Sequence, residues 1–228
     1  MAATAECDSC REILSQEDNP KLADAVDAKH PACSCEKWSV GTGSSGPVGN
    51  SERLVRLVSS PRDFDPDKGL LLEQPFYKVF GNGLSVCRSI AGNAEVVDLA
   101  TEALAHAPEH PHRAMMHVCE VEAGAVRSMK SDDGGHPFCI YDQTVSRIDR
   151  QKAPVPSHAG IFQRLPPPGT ADRKKLQKDL AGQLREKFIA GAIDLADFRD
   201  GLLVTLNHRA QNGEFELKAS DVSTSPDA

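Results

Sequence analysis

Short apolar segments separated by turn residues fill the middle of the chain, from about residue 51 to residue 165. Most are four to eight residues long, as β-strands are, and Gly, Pro, Asn or Asp stand between them. One longer segment, over about 94–107, follows the N-capping residue Asn93 and repeats its apolar residues with a helical period. Because strands and helices do not alternate regularly, the pattern predicts an α+β core domain over 51–165, with a small mixed or antiparallel sheet and one packed helix. The predicted strands cover 53–58, 84–87, 115–122, 138–141 and 159–162.

The segments on either side of this core domain differ from it in composition. Residues 1–40 hold four of the seven cysteines and the only Trp, which predicts a Cys-rich N-terminal head. Residues 41–50 consist mainly of Gly and Ser and predict a flexible linker. Beyond the Pro-rich break at 166–169, the sequence predicts a helical extension over 166–218 and a disordered tail over 219–228.

A stripe of large apolar residues marks the predicted helix over 172–190. Its members recur every fourth residue, so they share one helix face. The stripe either packs on the core domain or forms a face for a partner protein, and we favour packing. Its members are Leu176, Leu180, Leu184 and Phe188.

Charge and hydropathy restrict the partners and the compartment. The formal net charge of −7 argues against a nucleic-acid partner, because such binding needs a basic surface. The N-terminus has no signal-peptide pattern, and no apolar stretch approaches the roughly 20 residues of a membrane span. We therefore expect a cytoplasmic protein without a membrane partner, whose cysteines are reduced rather than joined in disulfides.

Four cysteines of the head have a spacing that suggests a structural zinc site. Cys7 and Cys10 form a CxxC pair, and Cys33 and Cys35 form a CxC pair. Thiolates bind zinc tetrahedrally, and His30 is an alternative ligand because it lies three residues before Cys33. The competing interpretation is four reduced cysteines without a metal, because CxC leaves less backbone to surround an ion than CxxC does.

Polar residues on the predicted strands suggest a catalytic site. The order of these residues resembles the layout by which ADP-ribosyltransferase-like folds hold NAD. The residues are Arg56, Ser85 and either Glu120 or Glu122. The resemblance implies that the arginine pairs with the pyrophosphate, the serine supports the nicotinamide ribose and the carboxylate steadies a developing oxocarbenium. His158 is a further candidate, although no nucleophile-elbow motif surrounds it. The alternative is that Arg56 is an ordinary charged residue on a strand, with no role in catalysis.

Several motifs of the core domain resemble a group of small bacterial proteins. They are an opening Arg56-Leu57 strand, a central Leu84-Ser85-Val86-x-Arg88 strand and a closing Pro156-Ser157-His158-Ala159-x-Ile161 segment, in that order. The resemblance covers roughly 51–165, about half the chain. It implies a compact bacterial α+β domain and supplies no activity.

Two function classes follow from these observations. The first is a non-enzymatic interaction or adaptor module with a protein partner, which explains the separate head, the striped helix and the absence of a sharp catalytic motif. It predicts an exposed apolar patch on the 172–190 helix or on the head. The second is an NAD-using ADP-ribosyltransferase-like enzyme or glycohydrolase, which requires Arg56, Ser85 and the carboxylate to meet in one pocket.

Overall fold

The computed structural model describes residues 12–16, 19–29, 35–37, 44–60, 62–65, 67–105, 115–132, 134–145, 154–164, 173–188 and 193–194. Within these ranges the α-helices are α1 (Leu22–Lys29), α2 (Asn93–Ala105), α3 (Ala123–Arg127) and α4 (Arg173–Lys187). The strands are β1 (Arg53–Ser60), β2 (Phe64–Asp65), β3 (Leu70–Leu71), β4 (Leu84–Arg88), β5 (Met115–Glu122), β6 (Phe138–Val145), β7 (Val155–Gln163) and β8 (Ile193–Asp194). Short 3-10 helices cover Cys35–Lys37, Gln74–Phe80 and Ser89–Ala91.

Six of these strands form one antiparallel sheet in the order β6-β7-β4-β1-β5-β8. The other two, β2 and β3, form a separate antiparallel ribbon. The predicted α+β class with an antiparallel sheet is therefore confirmed. The predicted strands lie inside observed strands, although β7 begins at Val155, four residues before its predicted start.

The larger apolar core lies on one face of the sheet. Alternate residues of the strands, such as Leu54 and Val58 of β1, point into it because successive side chains of a strand leave opposite faces. Leu180, Leu184 and Phe188 join this core from α4 and the residue after it. The leucine stripe therefore packs inside the molecule instead of forming an outward face.

A second apolar cluster lies on the opposite face of the sheet, under α1. Leu22 and Val26 of this helix are buried together with Tyr141 of β6 and Phe162 of β7. The amphipathic pattern of α1 thus fastens part of the predicted head to the core domain. Helices α1 and α2 contact strands of the sheet, while α4 packs on the 3-10 helix Gln74–Phe80, as the favoured interpretation of the stripe predicted.

Residues 44–50 also depart from prediction, because they lie against the sheet instead of forming a free linker. Val48 is buried in the larger core. Arg88 of β4 donates from Nη1 to the carbonyl of Gly46 at 2.6 Å and to the carboxylate of Asp142 at 2.7 Å. The Gly- and Ser-rich composition predicted flexibility, but one apolar anchor and one buried cation hold this segment in place.

The helices of the described ranges include none that is both long and apolar enough to cross a bilayer.

Candidate functional site

A pocket of about 190 Å³ opens between α2 and the strands β1, β4 and β7. Its lining is mainly aliphatic, with valines and leucines from the sheet and from α2. Four polar or charged residues interrupt this lining, and they are Arg56, Ser85, Glu102 and His158. An apolar cleft with a few convergent polar groups is the usual form of a small-molecule site.

Ser85 and His158 form a hydrogen-bonded pair in this pocket. The Oγ atom of Ser85 lies 2.6 Å from Nε2 of His158. The two residues are 73 positions apart in the chain, but the register of β4 against β7 pairs Ser85 with Gly160 and Cys87 with His158. Residues directly opposite one another in an antiparallel pair share a face, so both side chains leave the sheet on the same side.

Burial keeps the imidazole of His158 neutral. Its side chain is almost inaccessible, and this desolvation lowers its pKa to about 4, against smaller upward contributions from the Gln143 backbone and the charge of Asp142. Near neutral pH the Nε2 atom can therefore accept the hydroxyl proton of Ser85.

Arg56 of β1 is buried, lines the same pocket and reaches across to β4. In the antiparallel register of these two strands, Leu54 pairs with Arg88 and Val55 pairs with Cys87. Beyond them, Nη1 of Arg56 donates to the carbonyl of Ser85 at 2.7 Å. Desolvation is the largest influence on this guanidinium and lowers its pKa, yet an arginine remains charged in proteins. Its Nε is buried and has no hydrogen-bond partner in the described part of the chain.

The two glutamates predicted from the strand pattern lie elsewhere. Glu120 forms an ion pair with Arg53 at 3.2 Å, and Glu122 is an exposed residue paired in register with Arg53. Neither lines the pocket. The carboxylate that does so is that of Glu102, which is buried on α2.

The strand pattern could not indicate Glu102, because this residue lies on a helix. The available signal was its spacing on the predicted helix, three residues after Leu99, which puts the two residues on one helix face. Both residues do line the pocket. The sequence pattern alone could not show that this face is turned toward the sheet.

Most of the predicted zinc ligands lie outside the residues that the structure describes. This applies to Cys7, Cys10, Cys33 and His30, and only the backbone of Cys35 is described. Among the described residues, no group of three or more His, Cys, Asp or Glu side chains could hold a metal ion. The zinc site therefore stays a prediction about the head.

Two cysteines of the sheet have unreactive thiols. Cys119 and Cys139 are buried free thiols, and desolvation raises the pKa of each to about 12. A thiol must ionise to act as a nucleophile, so these residues serve packing.

Comparisons with protein-family models, with curated proteins and with solved structures found no match. The pocket is therefore the basis for assigning a function. Its side chains offer an accessible hydroxyl, a neutral imidazole, a cation and a carboxylate. This set can hold an anionic group, move a proton and stabilise a developing positive charge.

Proposed function

We propose that the chain is an NAD-using enzyme, either an ADP-ribosyltransferase-like protein or a glycohydrolase, with its active site in this pocket. One observation carries the proposal. Arg56 and Ser85, the two residues expected to hold NAD, line a single pocket together with the carboxylate-bearing Glu102. The enzyme hypothesis requires these residues to meet in one pocket.

The volume of the pocket limits how NAD would bind. At about 190 Å³ it is smaller than the roughly 300–1,000 Å³ that encloses a drug-sized ligand. It suits one end of the dinucleotide, the nicotinamide with its ribose, while the rest lies across the mouth. The positive charge of Arg56, which lines the pocket, would then attract the pyrophosphate, since guanidinium groups pair well with phosphate oxygens.

Glu102 suits the carboxylate role in this reaction. Cleavage of the bond between nicotinamide and ribose builds positive charge on the sugar, as in other glycoside cleavages. A carboxylate in a pocket with aliphatic walls stabilises that charge more strongly than one in water, because the local dielectric constant is lower. Glu102 is buried in such a lining, whereas Glu122 is exposed.

The adaptor hypothesis receives less support from the described residues. It needs an exposed apolar face, and on α4 the stripe of Leu180 and Leu184 is buried in the core. A zinc-bearing head, a protein partner and a cytoplasmic location remain predictions of the sequence.

The proposal is tested by NAD binding and turnover in the full chain. At 100 times its dissociation constant, NAD should stabilise the fold by about 2.7 kcal/mol and raise Tm by about 5–11 °C. Nicotinamide release, measured by chromatography, should fall about 10²–10³-fold in Glu102→Gln, because one group that stabilises the transition-state charge is lost. Glu186→Gln, at an exposed position on α4, is the matched control and should keep the wild-type rate.

Two outcomes would contradict this assignment. Absence of both a Tm shift and nicotinamide release would reject NAD as the substrate. If nicotinamide release is normal in Glu102→Gln but falls strongly in Glu120→Gln or Glu122→Gln, the carboxylate role belongs to that residue of β5.

A further inference from the structure

Ser85 differs from other serines of the described region in what its hydroxyl contacts. Ser59 donates to Asp63, and Ser157 donates to Glu95. Ser85 instead contacts the imidazole of His158, and it is an exposed residue while that imidazole is buried. An accessible hydroxyl beside a shielded base is the arrangement of an activated nucleophile.

We propose that Ser85 is itself an acceptor of the ADP-ribosyl group, so that the chain modifies its own pocket when NAD binds. This inference rests on the proposed function. In the step, Oγ of Ser85 forms a bond to C1 of the nicotinamide ribose, and the bond from C1 to the nicotinamide nitrogen breaks. The electron pair of that bond neutralises the pyridinium ring, nicotinamide leaves, and the hydroxyl proton passes to Nε2 of His158. NAD is the only reactant required besides the protein.

The position of Ser85 favours this acceptor over bulk water. Its hydroxyl lines the pocket proposed for the nicotinamide ribose, and a preplaced nucleophile has a high effective concentration. The product is an O-glycoside that keeps the ADP-ribosyl group in the pocket, so the modification limits further turnover.

The charged groups around His158 act in opposite directions on the proton transfer. Asp142 favours the imidazolium, and Arg56 opposes it. Asp142 is also paired with Arg88 at 2.7 Å, which weakens its effect on the imidazole. His158 therefore assists the transfer as the proton leaves Oγ and does not hold a stable positive charge beforehand.

The test is to incubate the full chain with NAD that carries an isotopic label in its adenylate half, and then to map the labelled peptide by mass spectrometry. We expect one ADP-ribosyl group per chain, located on Ser85. Free labelled ADP-ribose should give no adduct, because it lacks the nicotinamide leaving group. Mapping in the wild-type chain identifies the acceptor without relying on the folding of a variant.

Variants of Ser85 and His158 then test the role of this hydrogen-bonded pair. Ser85→Ala should abolish labelling, and His158→Gln should slow it about 10²–10⁴-fold, the usual contribution of a general base. Ser128→Ala is the matched control, since that serine is outside the pocket and its hydroxyl donates to the carbonyl of Ala125 in its own helix end. Thermal unfolding of each variant confirms that it is folded.

The outcomes separate this inference from the proposed function. Conversion of NAD to free ADP-ribose with no label on Ser85 would overturn the inference and leave the NAD function standing. Label on a different residue, or an unchanged labelling rate in His158→Gln, would overturn it as well. Absence of NAD binding, turnover and label together would overturn both proposals.

Discussion

Replacement of Arg88 by Met should destabilise the fold by about 3–5 kcal/mol, the usual cost of removing one partner from a buried ion pair. Arg88 is 1% exposed, and its guanidinium contacts the carboxylates of Asp142 and Glu52 at 2.7 Å each. The side chain of Asp142 has no exposed area, so without the guanidinium its charge stays buried and loses this cation. The carbonyl of Gly46 loses its shorter hydrogen bond in the same variant and keeps the one from the Ser44 hydroxyl at 3.4 Å.

A double variant separates the charge effect from the loss of packing. Asp142→Leu alone leaves the guanidinium of Arg88 with Glu52 as its remaining carboxylate partner. Arg88→Met with Asp142→Leu removes both buried charges, and well-packed apolar replacements of buried ion pairs are often neutral. The double variant should therefore be more stable than Arg88→Met alone, with a favourable coupling energy of roughly 1–3 kcal/mol between the two sites.

Urea unfolding followed by circular dichroism measures these differences, and Tm gives a second reading. For a chain of this size, 3–5 kcal/mol corresponds to a fall in Tm of roughly 6–20 °C. A loss below about 1 kcal/mol in Arg88→Met would show that the pair is not buried as described. Additive losses in the double variant would refute the argument from an uncompensated charge.

Two further predictions concern the same sheet. The pKa of His158 is about 4 in the folded chain and about 6.5 in the unfolded chain, so the unfolded chain binds more protons between these values. Stability should fall as pH drops from about 6.5 to 4, by about 3 kcal/mol in total, and urea unfolding at pH 7.5 and 5 should show a smaller difference in His158→Gln. Gly83→Ala should destabilise by about 1–3 kcal/mol, because Gly83 has φ +89° and an added Cβ would lie 2.6 Å from the ring of Phe162. The same measurement on Gly49→Ala, where nothing lies within 4 Å, should stay within about 0.5 kcal/mol, and equal losses at the two sites would contradict the steric argument.

Local patterns were sufficient to predict most strands and the helix after Asn93. The β5 segment alternates Met116, Val118 and their polar neighbours with the period of a strand, and the observed bounds of β5 match the prediction. The α+β class followed because such segments surround one helix instead of alternating with several. These features depend on neighbours in sequence, so the sequence contains them.

Features that depend on distant contacts could not be predicted in the same way. Gly and Ser around Val48 indicated a linker, since no local residue shows that Val48 fits into the core. The geometry of the candidate site also depends on contacts between residues that are distant in sequence. Ser85 and His158 were both candidates, and the register of β4 against β7 brings them together. The sequence of either strand alone does not determine this register, because the strands are distant in the chain.

The β6 strand links the buried ion pair on one face of the sheet to the proposed catalytic pair on the other. Asp142 and Gln143 are successive residues, so their side chains leave opposite faces. Asp142 meets Arg88, which also holds Gly46 of the segment 44–50. In register, Gln143 lies opposite His158, and its backbone and the charge of Asp142 both raise the pKa of that imidazole. Because Arg88 neutralises Asp142, the ion pair that anchors the segment 44–50 also helps to keep His158 a neutral proton acceptor for Ser85.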